Sequence, residues 1–132
     1  MAERRVKIGL AGFGTVGSGV AKLILEDAEA IAAKTGIRLE LACIVDIDTT
    51  SPRPATLPKG ILTDDLSRLL NDDTIEIGVE TIGGIEIAKD VQLRMLEAGK
   101  DVVTANQALL AEHGNELYRA AHKNGRCIAL EA

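Results

Sequence analysis

Short apolar runs alternate with longer amphipathic stretches along the whole chain. The runs that predict β-strands are VKIGLA, RLELACIVDI, ILT, TIEIGVETI, DVVTA and CIALEA. Between them, apolar residues at helical spacing predict a long helix from Thr15 to about Lys34, a short helix in DDLSRLLNDD, and two further helices in GGIEIAKDVQLRMLEAGK and NQALLAEHGNELYRAAHKNG. Strands that alternate with helices at this spacing indicate βαβ units. We therefore predict an α/β fold with a doubly wound, mostly parallel sheet and helices on both faces.

The same pattern predicts two local features of the helices. The short helix is expected to be capped by Thr63 or Asp64, because hydroxyl and carboxylate oxygens accept hydrogen bonds from the first N–H groups of a helix. The long helix is expected to have one apolar side, formed by Val16, Val20, Leu23, Ile24 and Ile31.

Composition narrows the class of protein. Of the 132 residues 46% are hydrophobic, but Phe13 and Tyr118 are the only aromatic ones, so the core must be aliphatic, as in sheets that helices cover on both faces. The net charge of −5 disfavours nucleic acid and anionic membranes as partners. Cys43 and Cys127 both lie in apolar runs, which predicts two buried free thiols and no metal pair or disulfide.

The two ends of the chain bear on its location and completeness. The start MAERRVK resembles a secretory signal, but glycines and Lys22 interrupt the apolar stretch that follows it. No run is long enough to cross a membrane, so we expect a cytoplasmic protein. The chain stops on the strand CIALEA without a closing helix, which indicates that residues 1–132 are one domain of a longer protein.

A glycine-rich turn follows the first predicted strand and opens the long helix. Gly12, Gly14 and Gly17 fit the pattern G-x-G-x-x-G. In such a motif the first glycine makes the tight turn, the second lets a pyrophosphate approach the backbone, and the third lets the helix pack closely on the strand. The N–H groups at the start of the helix and its dipole then attract the phosphates. In this strand–turn–helix context the motif predicts a Rossmann-type domain that binds a dinucleotide.

The second strand ends at an acidic residue that bears on the choice of cofactor. Asp46 lies 29 residues (46 − 17) after Gly17, more than the usual ~20, and the long first helix accounts for the difference. An acid here can accept both ribose hydroxyls of NAD, whereas a 2′-phosphate requires a nearby arginine. NAD is therefore favoured, with NADP as the alternative, since Arg53 follows on a proline-rich loop. Asp48 is interpreted as a turn-forming loop residue.

Two further stretches follow predicted strands whose carboxyl ends should border the ligand. They are ETIGG, from Glu80 to Gly84, and VVTANQALLAEHG, from Val102 to Gly114. Open α/β sheets bind ligands in the crevice outside these strand ends. Gly83 and Gly84 are expected both to form the turn before a helix and to let the backbone approach the nicotinamide ribose.

Other catalytic motifs are not supported. The only Gly-Lys pair, at 99–100, is followed by Asp101, and position 94 is Arg where a P-loop requires glycine. His113 and His122 are interpreted as solvated helix residues. The sequence contains no HExxH or CxxC pattern and no recognisable Ser-His-Asp set, so hydrolase and zinc chemistry are not indicated.

Four strings carry a resemblance to a known family: GLAGFGTVGSGV, VETIGG, VVTANQALLAEHG and the terminal LEA. With them, nearly the whole chain resembles the N-terminal cofactor-binding domain of homoserine dehydrogenase. The resemblance implies an enzyme that interconverts homoserine and aspartate 4-semialdehyde with NAD(P), on the pathway to threonine and methionine. It further implies a dinucleotide and an amino acid as ligands, and a parent protein that is a homodimer or a larger oligomer.

The resemblance also assigns residues. It implies a monovalent-cation site at Glu131, and it identifies Gln107 with a position where the family pattern has an active-site lysine. Glutamine can neither carry charge nor pass a proton. Together with the motifs above, it implies these cofactor contacts: Gly12, Phe13, Gly14, Thr15, Val16, Gly17, Asp46, Ile82, Gly83, Gly84 and Thr104.

We therefore expect this chain to bind NAD without turnover, because the family's substrate and dimerisation domain would follow residue 132. Two alternatives stay open from the sequence. One is a non-enzymatic NAD-sensing Rossmann domain, which would account for the short chain and for Gln107. The other is a different two-domain aldehyde or imine reductase.

Overall fold

The computed structural model describes residues 4–52 and 57–130, which form one six-stranded sheet with four helices packed around it. In chain order the elements are β1 (Arg4–Ala11), α1 (Thr15–Thr35), β2 (Ile37–Val45), β3 (Leu62–Thr63), α2 (Ser67–Leu70), β4 (Ile75–Glu80), α3 (Glu86–Glu97), β5 (Asp101–Thr104), α4 (Gln107–Lys123) and β6 (Ile128–Leu130).

The strands lie in the order β3-β2-β1-β4-β5-β6, and every pairing between neighbours is parallel. This confirms the predicted doubly wound α/β fold, with a sheet that is parallel throughout the described residues. The strand order reverses between β1 and β4, and ligands of such sheets bind outside the carboxyl ends of the strands at that point. The loops that follow β1, β2, β4 and β5 therefore share one edge of the sheet.

The core lies on both faces of the sheet, because successive side chains of a strand point to opposite sides. Leu10 packs in a cluster with Ala21 and Ile24 of α1, whereas its neighbour Ala11 packs in a second cluster with Met95 of α3. A third, smaller cluster joins α3 to α4 through residues such as Leu117. Helices thus cover both faces, as the aliphatic composition predicts.

The apolar side of α1 differs from the prediction. Val16 and Leu23 are 55% and 53% exposed, whereas Ala21, Ile24 and Ala32 are buried. Ile24 is thus buried as predicted, and the prediction is wrong for Val16 and Leu23, since the small residues Ala21 and Ala32 complete the buried side. Close packing of the backbone therefore decides which side of α1 is buried.

The predicted cap of α2 is wrong. The helix begins only at Ser67, and neither Thr63 nor Asp64 caps it. Instead the carboxylate of Asp65 accepts hydrogen bonds from the N–H and the hydroxyl of Ser67, at 3.0 and 2.6 Å. Thr63 forms the preceding turn, in which its hydroxyl accepts a hydrogen bond from the N–H of Asp65 at 3.1 Å. Two successive side-chain turns thus lead into the helix.

The cysteines are both free, but only one is buried as predicted. Cys43 lies inside β2, where burial raises the pKa of its thiol, and Cys127 is exposed. Cys127 directly precedes β6, which pairs only with β5 among the described strands and so lies at the edge of that sheet. Among the described residues, none of the helices is long and apolar enough to span a membrane. Arg53 and Glu131 lie outside the described residues.

Candidate functional site

The glycine-rich turn between β1 and α1 is closed by the loop after β4. Gly12 has φ +98°, and a Cβ there would lie 2.9 Å from the carbonyl carbon of Thr81. The hydroxyl of Thr81 donates to the carbonyl oxygen of Gly12 at 2.7 Å and so holds the turn against β4. A Cβ on Gly17 would overlap the same Gly12 carbonyl oxygen. Both positions therefore require glycine for packing, whatever they bind.

Gly14 differs from the other two glycines, since no atom lies within 4 Å of the position that its Cβ would occupy. It is the N-cap residue of α1, with φ −80°, and no side chain caps the helix. The first turn of α1 contains no acidic residue. No described atom therefore crowds Gly14 at the start of this 21-residue helix, and the N–H groups and dipole of the helix favour an anion there. This fits the pyrophosphate of a dinucleotide.

Asp46 lies one residue beyond β2, against the glycine turn. Its carboxylate accepts hydrogen bonds from the N–H of Phe13 and the N–H of Asp48, both at 3.3 Å. Asp48 is confirmed as a turn residue, because its own carboxylate accepts from the N–H groups of Thr50 and Ser51 at 3.1 and 3.0 Å. The hydrogen bonds from Phe13 and Asp48 hold the carboxylate of Asp46 at the carboxyl edge of the sheet.

A mostly apolar cavity of about 290 Å³ lies beside Asp46. Its wall includes Gly12, Ile47, Leu66 and Ile87, and Ile47 and Ile87 are among the most exposed large apolar residues of the chain. Flat apolar rings are typical occupants of such a space when a polar group at its rim supplies orientation. The cavity can therefore accept the adenine of a dinucleotide whose ribose contacts Asp46.

A second cavity, of about 260 Å³, borders Val16 at the start of α1. It is formed where the loops after β4 and β5 meet the start of α1, and it is lined by Val16, Glu80, Thr81, Ile82, Gly83, Gly84, Ala105, Asn106 and Gln107. At Gly83 and Gly84 no atom lies within 4 Å of the position that a Cβ would occupy, and Gly84 has φ +87°. The backbone is therefore open to a ligand here.

The structure places two of the predicted cofactor contacts beneath the surface. The side chain of Phe13 is 0% exposed and that of Thr104 is 1% exposed. Phe13 reaches the site through its backbone N–H, which donates to Asp46. The hydroxyl of Thr104 donates to the carboxylate of Glu80 at 2.7 Å, so it is engaged inside the protein. Contacts of either residue with a cofactor stay predictions.

The side chain of Asn106 joins the loops after β4 and β5, a role that the sequence did not predict. Asn106 caps α4, because its Oδ1 accepts from the N–H of Leu109 at 3.0 Å. Its Nδ2 donates to the carbonyl oxygen of Gly84 at 2.6 Å. An asparagine before a helical stretch is a recognised cap signal, but the contact with Gly84 depends on the pairing of β4 with β5.

Proton-carrying groups are scarce at the second cavity. Gln107 lies exposed on its rim at the start of α4. Among the described residues that line the cavity, Glu80 alone has an ionisable side chain, and internal donors engage both of its carboxylate oxygens. Within residues 4–52 and 57–130 no three His, Cys, Asp or Glu side chains form a group that could hold a metal ion. The predicted cation role of Glu131 lies outside that range and is untested.

Known proteins with similar sequences and structures agree on one family. The family model of the homoserine dehydrogenase NAD-binding domain matches residues 12–131. The homoserine dehydrogenase of Corynebacterium glutamicum is 45% identical over 127 residues, which are 96% of this chain and 28% of that protein. The structure of S. aureus homoserine dehydrogenase at pH 8.5 superposes with a TM-score of 0.88 at 37% identity, over 98% of this chain and 32% of that one.

A more distant structure shares the fold. It is a hyperthermophilic archaeal homoserine dehydrogenase in complex with NADPH, with a TM-score of 0.68 at 23% identity over 96% of this chain and 44% of that one. The chain spans less than a third of the length of the curated relatives that it matches. The match over residues 12–131, which includes the glycine turn and the loops after β4 and β5, shows that the chain belongs to the family of homoserine dehydrogenase NAD-binding domains.

Proposed function

We propose that this chain is the cofactor-binding part of a homoserine dehydrogenase and that it binds NAD across the carboxyl edge of its sheet. The observation that carries the proposal is the open space at Gly14, in a glycine turn that contributes Gly12 to one cavity of suitable size and leads to Val16 in another. The bound cofactor would supply a hydride acceptor for the oxidation of the homoserine alcohol to aspartate 4-semialdehyde. A cytoplasmic location and an oligomeric parent protein are expected with this function.

The position of Asp46 orients the ligand. If its carboxylate binds the adenosine ribose, the adenine occupies the apolar cavity beside Ile47 and Leu66. The pyrophosphate then lies at the start of α1, in front of Gly14. The nicotinamide half reaches the cavity between Val16 and the loops after β4 and β5. This arrangement follows the strand order, with one mononucleotide on each side of the reversal point.

Asp46 supports NAD over NADP. A carboxylate accepts hydrogen bonds from two ribose hydroxyls, but it repels a 2′-phosphate at the same place. A second carboxylate, that of Asp64, lines the same cavity and adds to the negative potential. The described part of the cavity wall contains neither Lys nor Arg. NADP is therefore the weaker ligand in this proposal.

Turnover by the chain alone is not expected. Oxidation of an alcohol releases a proton, and a base must lie within hydrogen-bond reach of the hydroxyl to take it. Gln107 cannot act as a base, and Glu80 is buried with both oxygens engaged. Among the described residues that line the cavity, neither can therefore take the proton, and we expect the acceptor to come from another part of the enzyme. This favours an enzyme domain that depends on a partner domain for catalysis.

Calorimetric titration of the chain with NAD⁺ and with NADP⁺ tests the proposal. We expect NAD⁺ to bind more tightly, and Asp46→Asn to weaken NAD⁺ roughly tenfold to a hundredfold, since hydrogen bonds to a charged group contribute about 1.5–3 kcal/mol. Asp27→Asn, which removes the same charge from an exposed position of α1, is the matched control and should leave both affinities unchanged. Tighter binding of NADP⁺ would refute the role of Asp46.

A second variant tests the glycine turn separately. Gly14→Ala should fold normally, because no atom lies within 4 Å of the new methyl group and the backbone at Gly14 has negative φ. The methyl group would occupy the space in front of α1, so NAD⁺ should bind at least tenfold more weakly. Unchanged NAD⁺ affinity in this variant would mean that the pyrophosphate lies elsewhere. Homoserine-dependent formation of NADH by the chain alone would refute the expectation of no turnover.

A further inference from the structure

The carboxylate of Glu80 is the most deeply buried charged group at the site. Glu80 is the last residue of β4 and its side chain is 0% exposed. One oxygen, Oε2, accepts from the N–H of Ile82 at 2.7 Å. The other, Oε1, accepts from Nε2 of Gln92 and from the hydroxyl of Thr104, both at 2.7 Å. Within the described ranges 4–52 and 57–130 this carboxylate forms no ion pair with a Lys, Arg or His side chain.

The groups that surround the carboxylate of Glu80 are all hydrogen-bond donors to it. A backbone N–H, a side-chain amide and a hydroxyl all donate to Glu80, and an ionised carboxylate is acceptor-only. The hydroxyl of Thr104 accepts from the N–H of Asn106 at 3.0 Å and donates to Glu80, so it takes part in both bonds. Three donors thus stabilise a negative charge that burial would otherwise disfavour.

The same hydrogen bonds place this charge directly beneath the second cavity. Glu80 lines the cavity together with Ile82 and Gly84 of the loop after β4 and with Asn106 of the loop after β5. The chain of bonds runs from Glu80 through Thr104 to the backbone of Asn106, and the side chain of Asn106 returns to the carbonyl oxygen of Gly84. The two loops are therefore held around a buried anion that no cation of the described chain neutralises.

We propose that Glu80 is a specificity-determining residue that makes this cavity favour the oxidised, positively charged nicotinamide ring over the reduced, neutral one. The inference rests on the proposed function, because it requires the nicotinamide half of the cofactor to occupy this cavity. The ring of NAD⁺ carries a positive charge that NADH lacks, whereas the rest of the two molecules is the same. A fixed negative charge in a region shielded from water therefore raises the affinity for NAD⁺ relative to the affinity for NADH.

The experiment compares the affinities of the chain for NAD⁺ and for NADH by calorimetry. Glu80→Gln keeps the shape of the side chain and removes its charge. It should lower the preference for NAD⁺ over NADH by at least about fivefold, which is the effect of one unit charge about 4 Å away at the dielectric of water and increases where water is excluded. Glu76→Gln is the matched control. It removes the same charge from the opposite end of β4, where Glu76 forms an exposed pair with Arg4 at 3.0 Å, and it should leave the preference unchanged.

The ratio of the two affinities separates an electrostatic role from a structural one. If Glu80→Gln weakens NAD⁺ and NADH by the same factor, Glu80 only supports the walls of the cavity and the inference is wrong. An unchanged pair of affinities refutes it as well. If the unmodified chain binds neither form, the proposed function fails together with the inference. If the unmodified chain binds both forms and Glu80→Gln does not change the ratio of their affinities, the proposed function is supported and the inference about Glu80 is wrong.

A second measurement needs no variant and applies even if Glu80→Gln does not fold. Benzamide adenine dinucleotide has an uncharged aromatic ring of nearly the same shape as the nicotinamide of NAD⁺. The unmodified chain should bind NAD⁺ at least threefold more tightly than this analogue. Equal affinities would show that the positive charge of the ring is not recognised, which would overturn the inference.

Discussion

Replacing Gly17 with alanine tests how closely α1 must approach the glycine turn. A Cβ at this position would overlap the carbonyl oxygen of Gly12 and would lie 2.9 Å from its carbonyl carbon and 2.8 Å from Oγ1 of Thr81. Ordinary van der Waals contact begins at 3.4 Å, so the carbonyl carbon alone requires the helix and the turn to separate by about 0.5 Å (3.4 − 2.9), and the overlapping oxygen requires more. The Gly12 atoms belong to the backbone and cannot move aside by changing a rotamer.

The expected cost follows from two opposed effects. Overpacking a tightly packed position typically costs about 1–3 kcal/mol, whereas alanine stabilises a helix interior by about 0.5–1 kcal/mol relative to glycine. We therefore expect Gly17→Ala to lower the free energy of unfolding by roughly 1–2 kcal/mol. Gly19→Ala is the matched control two residues further along α1, because no atom lies within 4 Å of the new methyl group. It should stabilise the chain by about 0.5–1 kcal/mol.

Urea unfolding followed by far-UV circular dichroism measures both variants against the unmodified chain. The two substitutions make the same chemical change in the same helix, so their opposite signs isolate the contact with Gly12. If Gly17→Ala is as stable as Gly19→Ala, the turn and the helix do not pack as described, and the packing role of the third glycine is wrong. The slope of the transition should be unchanged in both variants, because neither alters the surface exposed on unfolding.

Two further predictions concern groups outside the site. With a disulfide reagent such as DTNB, Cys127 should react at once and Cys43 only after unfolding, because Cys43 is buried and desolvation raises the pKa of its thiol; rapid reaction of both thiols in the native chain would contradict this. The hydrogen bond from Lys89, at 2.7 Å, lowers the pKa of Glu116 below its ordinary 4.5 and joins α3 to α4. A lowered carboxyl pKa stabilises the fold above the unfolded pKa, and this contribution is lost as the pH falls through the folded pKa. Lys89→Met should therefore raise the pKa of Glu116 in an NMR titration, and an unchanged value would refute the pairing.

The order and type of the elements were predictable from the sequence, because the signals behind them are local. Alternating apolar runs, helical spacing and the position of Gly12, Gly14 and Gly17 each depend on a few neighbouring residues. The long helix α1 extends from Thr15 to Thr35, within one residue of the prediction at its far end. The turn role of Asp48 was likewise local, since its carboxylate binds N–H groups two and three residues away.

Only the tertiary structure decided which side chains meet. Thr104 and Glu80 are 24 residues apart, and nothing local indicates that they share a hydrogen bond beneath a cavity. They meet because β4 pairs in parallel with β5, with Glu80 opposite Thr104 in the register. The exposure of Cys127, next to an edge strand, likewise depends on which strands lie at the edge of the sheet. Sequence patterns thus determined the elements and the glycine turn, whereas strand pairing determined the buried carboxylate and its partners, since pairing acts between residues far apart in the chain.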